Sequence, residues 1–228
     1  MHVKKHDLRD IEEEIMEVLF DITIIKKENQ RIKMGEILDK IGQELAKTQL
    51  TNIVRRKLEP QGFVDYTPYD GILLTDQGFQ VAKRIARNHR LAEAMLSQIF
   101  NVPFKELHEQ ACNIEHGISD RLAVLIFQKL KEKKTPFGDI IPMGEVEDSG
   151  CDNKSLTEIP VGKKVVLTKI NNHTADTAEE LEYYDIHGIG VVMTIKERDK
   201  EKITVILNKT EQKIPLRVSR ILCVREEE

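Results

Sequence analysis

The sequence predicts an α+β fold in three parts, and three observations carry that prediction. Apolar residues recur at steps of three and four through the first two thirds of the chain. Near residue 159 the period changes to short β-branched runs separated by turns. Between these regimes lies a polar, acidic stretch that reads as a linker. The expected divisions are residues 1–78, 79–144 and 159–228, with the linker at 145–158.

In the first part, Leu8, Ile11, Ile15, Leu19 and Ile22 mark one face of an amphipathic helix. Ile32, Ile37, Leu38 and Ile41 suggest a short second helix. Residues 43–58 suggest a third, with Leu50, Val54 and Leu58 spaced by four and a stop at Pro60 and Gly62. Two short apolar runs between residues 63 and 74 flank a turn containing Asp70-Gly71, which signals a hairpin. Three helices followed by a hairpin is the order of a winged helix-turn-helix. The second part is helical: Val81, Ile85, Leu91, Met95 and Ile99 continue one face, and Pro136, Gly138 and Pro142 close it. In the third part, residues 164–170, 190–195, 203–207 and 221–224 read as strands, with a helical interruption at 177–184. Short strands at this spacing favour a small β-barrel.

Composition narrows the function classes. No run of about 18 apolar residues exists, so no membrane-spanning helix is expected, and the N-terminal residues lack the apolar core of a secretory signal. Cys112, Cys151 and Cys223 are odd in number and widely spaced, which reads as reduced thiols in a cytoplasm. A net charge of −4 does not announce a polyanion partner, although two divalent cations would neutralise it.

The stretch His108-Glu-Gln-Ala-Cys112-Asn-Ile-Glu115-His116 holds the densest chemistry. On one helix, His108, Cys112, Glu115 and His116 would fall within an arc of roughly 80°. Imidazole, thiolate and carboxylate on one face suit a divalent transition metal. Ile114, Ile118, Leu122 and Leu125 mark another, apolar side of the same helix. The alternative is a solvated helix face. His108-Glu109 also opens a zinc-protease pattern, but Cys112 stands where the second histidine is required, so no enzyme is expected.

The ordered set His89-Arg-Leu-Ala-Glu93, the 108–116 stretch, Ser119-Asp120 and Pro136-Phe-Gly-Asp-Ile-Ile-Pro142 resembles the diphtheria-toxin-repressor family of metal-dependent transcriptional regulators. The resemblance covers nearly the whole chain and is most specific between residues 89 and 142. It implies an SH3-like C-terminal module, a cytoplasmic homodimer, a double-stranded and palindromic DNA operator, and two metal sites per chain. Cys112, Glu115 and His116 match the activating site, completed by Glu14 and Glu17 of the first helix; His89, Glu93 and His108 match the ancillary site, with Glu180 preferred to Asp176 and Glu179 as a ligand from the last module and plain surface carboxylates as the alternative. The expected ion is Fe²⁺, with Mn²⁺ as alternative and Zn²⁺, Ni²⁺ or Co²⁺ as substitutes in vitro. An ion joining Glu14 to the second part would fix two recognition helices about one DNA turn, ~34 Å, apart. Thr48, Gln49, Thr51 and Asn52 are then candidates for base contacts, and Arg55, Arg56 and Lys57 for phosphate contacts, with the wing around Tyr66 and Tyr69. Relative to the family, residues 43–47 add length and residues 50–58 are one residue longer. A metal store or carrier that does not bind DNA is the rival reading.

Overall fold

The computed structural model describes residues 10–26, 30–41, 45–144, 154–172 and 175–227. Leu8, Cys151, residues 43–44 of the expected third helix and residues 145–153 of the expected linker lie outside the described residues. The described residues form two compact units: the first runs to His89 and includes 142–144, and the second combines 90–141 with 154–227.

The first unit holds α1 (Asp10–Lys26), α2 (Met34–Leu38) and α3 (Lys47–Ile53), then β1 (Val64–Thr67) and β2 (Gly71–Leu74). α1 buries Ile15, Leu19 and Ile22, as its period predicts. Glu36 of α2 pairs with Lys26 of α1 at 2.7 Å and accepts from the Lys33 backbone at 2.9 Å, so one carboxylate ties two helices and caps the second. The strands pair antiparallel, and Ile32 extends them through two backbone bonds to Ile72. Gly71 is required where Ile32 crosses: an added Cβ would stand 2.4 Å from the Ile32 carbonyl oxygen. α3 does not continue as one regular helix. Residues Val54–Leu58 form a π-turn in which the Glu59 amide bonds the Val54 carbonyl five residues back, at 2.9 Å. A π-turn takes up one residue more than a regular α-helical turn. Leu50, Val54 and Leu58 stay fully buried, while Arg55, Arg56 and Lys57 all point outward.

α4 (Asp76–Gln98) leads from the first unit into the second. There α5 (Leu107–Ile114) and α6 (Asp120–Lys129) follow, then a six-stranded antiparallel sheet in the order β3-β8-β4-β5-β6-β7. Its strands are β3 (Lys154–Ser155), β4 (Lys164–Ile170), β5 (Val192–Arg198), β6 (Lys202–Leu207), β7 (Thr210–Pro215) and β8 (Leu222–Glu226). Two short helices, α7 (Ala175–Tyr183) and α8 (Leu216–Ser219), complete it. Register shifts near Leu167 and Ile195 bend β4 and β5, as closure of a small sheet needs.

The helices and the sheet of this unit share one core. Phe104, Leu107 and Phe137 pack with Leu167, Ile170 and Leu181. The Phe104 and Phe137 rings lie 4.7 Å apart, and the Phe137 carbonyl accepts from Ile170 of β4 at 2.8 Å. Buried Asp139 pairs with Lys169 at 2.8 Å. The start of α5 therefore rests on residues of the sheet module.

Candidate metal centre and DNA-facing surface

α4 places His89 and Glu93 one helical turn apart, both buried. α5 places His108 and Cys112 one turn apart. His108 stands between two donors: its Nδ1 is 3.8 Å from Glu93 Oε1, and its Nε2 is 3.9 Å from Cys112 Sγ. One ring nitrogen can therefore take an ion while the other faces its neighbour. Burial of the Glu93 carboxylate is costly unless a cation or hydrogen bonds compensate it.

Residues 108–116 are not one helix. α5 ends at Ile114, and Glu115–Gly117 form a 3-10 turn before Ser119 caps α6 by accepting from Leu122 at 3.3 Å. Gly117 and the Ser119 cap favour a restart over a continuous helix. The single polar stripe is thus divided. Cys112 faces His108, whereas Glu115 and His116 form a second pair with His116 Nε2 3.9 Å from Glu115 Oε1. The expected apolar side is divided as well: Ile118 is buried outside any helix, while Ile114, Leu122 and Leu125 are exposed.

The donor chemistry fits divalent ions. Two ligand atoms each 2.0–2.3 Å from an ion stand roughly 3–4 Å apart, which matches the 3.9 Å between His108 Nε2 and Cys112 Sγ and the 3.9 Å between His116 Nε2 and Glu115 Oε1. The nitrogen–oxygen separations are too long for hydrogen bonds. On α1, Glu13 is buried, whereas Glu14 and Glu17 are partly exposed. Glu180 on α7 makes a two-pronged ion pair with Arg217, one bond measuring 2.6 Å. That pair, led by its hydrogen bond, raises the Arg217 pKa.

The predicted DNA-contacting residues divide by availability. Gln49 caps α3, its Oε1 accepting from the Ala46 amide at 3.0 Å, and the Thr51 hydroxyl donates to the Lys47 carbonyl at 2.8 Å. Thr48 and Asn52 are exposed. Arg55, Arg56 and Lys57 are exposed and have no ion-pair partner among the described residues. The wing differs. Its cations are engaged internally: Arg31 pairs with Asp65 and, at 3.2 Å, with Asp70, and Lys33 lies 3.6 Å from the Asp70 carboxylate.

The model of the iron-dependent repressor metal-binding and dimerisation domain matches residues 75–143. The iron-dependent repressor IdeR of Mycobacterium tuberculosis is 28% identical over 178 residues, covering 74% of this chain and 75% of that protein. An HTH-type transcriptional regulator of Methanocaldococcus jannaschii is 32% identical over 112 residues, covering 48% of this chain and 87% of its own length. Among solved structures, IdeR of T. acidophilum superposes with a TM-score of 0.72 at 19% identity, covering 97% of this chain and all of the other. The manganese regulator SloR gives 0.71 at 20% identity, with 95% and 98% covered. These neighbours share the arrangement of an N-terminal winged helix-turn-helix, a helical middle and an SH3-like sheet. The matched segment contains both donor sets on α4, α5 and the turn after it, and the chain belongs to the diphtheria-toxin-repressor family of metal-dependent, DNA-binding transcriptional regulators.

Proposed function

We propose that this chain is a cytoplasmic, Fe²⁺-dependent repressor of metal-uptake genes that binds a palindromic DNA operator as a homodimer. The observation that carries this reading is the pairing, in one chain, of two metal-donor sets with a recognition helix ending in three exposed cations. The first set is His89, Glu93 and His108, joined by Cys112 on the strength of its 3.9 Å separation from His108. The second is Glu115 and His116, completed by a carboxylate of α1. Glu14 and Glu17 are the sequence's candidates for that role, and buried Glu13 beside them is a third.

Thiolate and imidazole in the first set favour softer ions, while oxygen-rich donors in the second favour harder ones. Fe²⁺ is the ion that suits both, and Mn²⁺ suits chiefly the second. A bound ion supplies the positive charge that lets buried and clustered carboxylates approach one another. The chain's own residues then do the rest. Glu93 orients the His108 ring, and an α1 carboxylate recruited to Glu115 and His116 would restrain the DNA-binding helices against the metal-binding segment. This favours the arrangement competent for DNA and shifts its population. The proposed functional parts are residues 1–78, 79–144 and 159–228, joined by 145–158.

Exposed Ile114, Leu122, Val124 and Leu125 support self-association through the second part. Thr48, Gln49 and Asn52 would read base edges while Arg55, Arg56 and Lys57 grip phosphates. The test is operator binding by the chelated protein before and after addition of Fe²⁺ or Mn²⁺ under anaerobic conditions. The expected outcome is an affinity gain of about a hundredfold, within reach of ordinary coupling energies. Equal affinity in every condition rejects metal dependence.

A further inference from the structure

We propose that Tyr69, at the tip of the wing, is a dedicated contact to the sugar edge of duplex DNA beside the groove read by α3; this rests on the DNA-binding reading above. The turn Thr67-Pro68-Tyr69-Asp70 is closed by a hydrogen bond from the Asp70 amide to the Thr67 carbonyl at 3.1 Å. Proline fixes a negative φ at its second position, and Tyr69 follows with φ +66°. That combination is a type II turn, whose third position favours glycine or asparagine.

Tyrosine in this position is strained, and folding gains nothing from it: the side chain is fully exposed, at 101%. Among the described residues, three of the other four non-glycine positions with positive φ are Asn101, Asp185 and Asn208, types that tolerate this conformation. Strain at an exposed side chain without packing in return points to a function for that side chain.

The surroundings fix the tip. Lys33 Nζ donates to the Asp70 carbonyl at 2.7 Å and to the Tyr69 carbonyl at 3.3 Å, pinning the backbone on which the phenol is mounted. Arg31 holds the Asp65 carboxylate and donates to the Asp65 carbonyl at 2.8 Å. Arg31 and Lys33 therefore neutralise Asp65 and Asp70, so the tip presents an uncharged aromatic ring that a polyanion does not repel. A backbone held this way leaves only the tyrosine side-chain torsions to be ordered on binding. Its flat face suits deoxyribose, and its hydroxyl can donate to a phosphate oxygen or to the acceptors on the minor-groove edge. The engaged cations leave phosphate gripping to Arg55, Arg56 and Lys57, so wing and helix divide the work.

The test uses the full-length, metal-loaded protein, with fluorescence anisotropy on an operator duplex across a salt series. Variants are Tyr69→Gly, Tyr69→Asn, Tyr69→Phe and Arg55→Ala. Tyr69→Gly and Tyr69→Asn should fold with unchanged or higher melting temperature and weaken binding by about fivefold to tenfold, as loss of one aromatic contact does. Their salt slope should match the wild type, whereas Arg55→Ala should lower it by about one. Tyr69→Phe should retain most of the affinity if the ring face dominates. Wild-type affinity in both Tyr69→Gly and Tyr69→Asn, with Arg55→Ala weakened, overturns the Tyr69 contact and leaves the DNA reading standing. No effect in any variant removes this surface from DNA altogether. A change in self-association without a change in DNA affinity also overturns the proposal, since the tip then serves a protein partner.

Discussion

The two donor sets differ in burial and in the backbone that carries them. Glu93, His108 and Cys112 stand within 3.9 Å of their neighbours on two regular helices, and Glu93 is fully buried. Glu115 and His116 sit on a 3-10 turn, with the His116 side chain 42% exposed and its Nε2 3.9 Å from Glu115 Oε1. Buried donors on regular helices need less reorganisation to hold an ion than a more exposed pair on a 3-10 turn. Under the proposed function, the difference suits the first set to a structural ion and the second to a regulatory one.

The largest expected effect comes from removing what supports the first set. Phe137 is fully buried against Phe104, which leads into α5. Phe137→Ala should cost about 3–5 kcal/mol, the usual loss for a buried phenylalanine. Urea unfolding measures this directly. Calorimetric titration with Mn²⁺ should then show the first set weakened more than the second, because α5 loses its seat while the 3-10 turn is supported separately by the Ser119 cap. Equal weakening of both sets would mean that the contrast in preorganisation is false.

A smaller effect decides where Cys112 belongs. The family resemblance groups it with Glu115 and His116, and the structure turns it toward His108. Loading with Co²⁺ gives a thiolate-to-metal absorption band that Cys112→Ser should abolish. His108→Ala should also abolish it, with about a hundredfold loss of affinity at that set, while His116→Ala should leave it intact. A band lost in His116→Ala and kept in His108→Ala returns Cys112 to the second set.

That ambiguity has a physical origin in the sequence. Steps of four, three and one fit a helix regardless of where the helix stops, so periodicity could not reveal the break at Ile114. Gly117 and the cap residue Ser119 were the available signals. Long amphipathic elements were legible because burial imposes their period: α1 and β4 (Lys164–Ile170) are where the pattern put them. β7 was not, since Thr210–Pro215 buries only Ile214 and lies at the sheet edge. Its clue was the turn at Asn208 and Lys209, where both φ angles are positive, at 48° and 67°. The π-turn after α3 leaves no periodic trace, because Leu50, Val54 and Leu58 keep steps of four through it. Its consequence, three neighbouring cations all facing outward, needed coordinates.

The smallest expected effect asks whether the sheet module completes the first set through Glu180. α7 packs beside the start of α5, where the Lys105 amide donates to Glu182 Oε1 at 3.3 Å, so a ligand from this helix is sterically reasonable. Arg217, however, already holds the Glu180 carboxylate. An ion and a guanidinium would compete for the same two oxygens. Arg217 is mostly exposed, its side chain at 71%, so the competition is weak and its removal should matter by no more than about fivefold. We therefore expect Arg217→Ala to strengthen ion binding at the first set by a few fold, and Glu180→Gln in that background to cancel the gain. Calorimetry on the single and double variants measures both. If Arg217→Ala leaves affinity unchanged, Glu180 is a partner of Arg217 and not of the metal, and the first set is complete within α4 and α5.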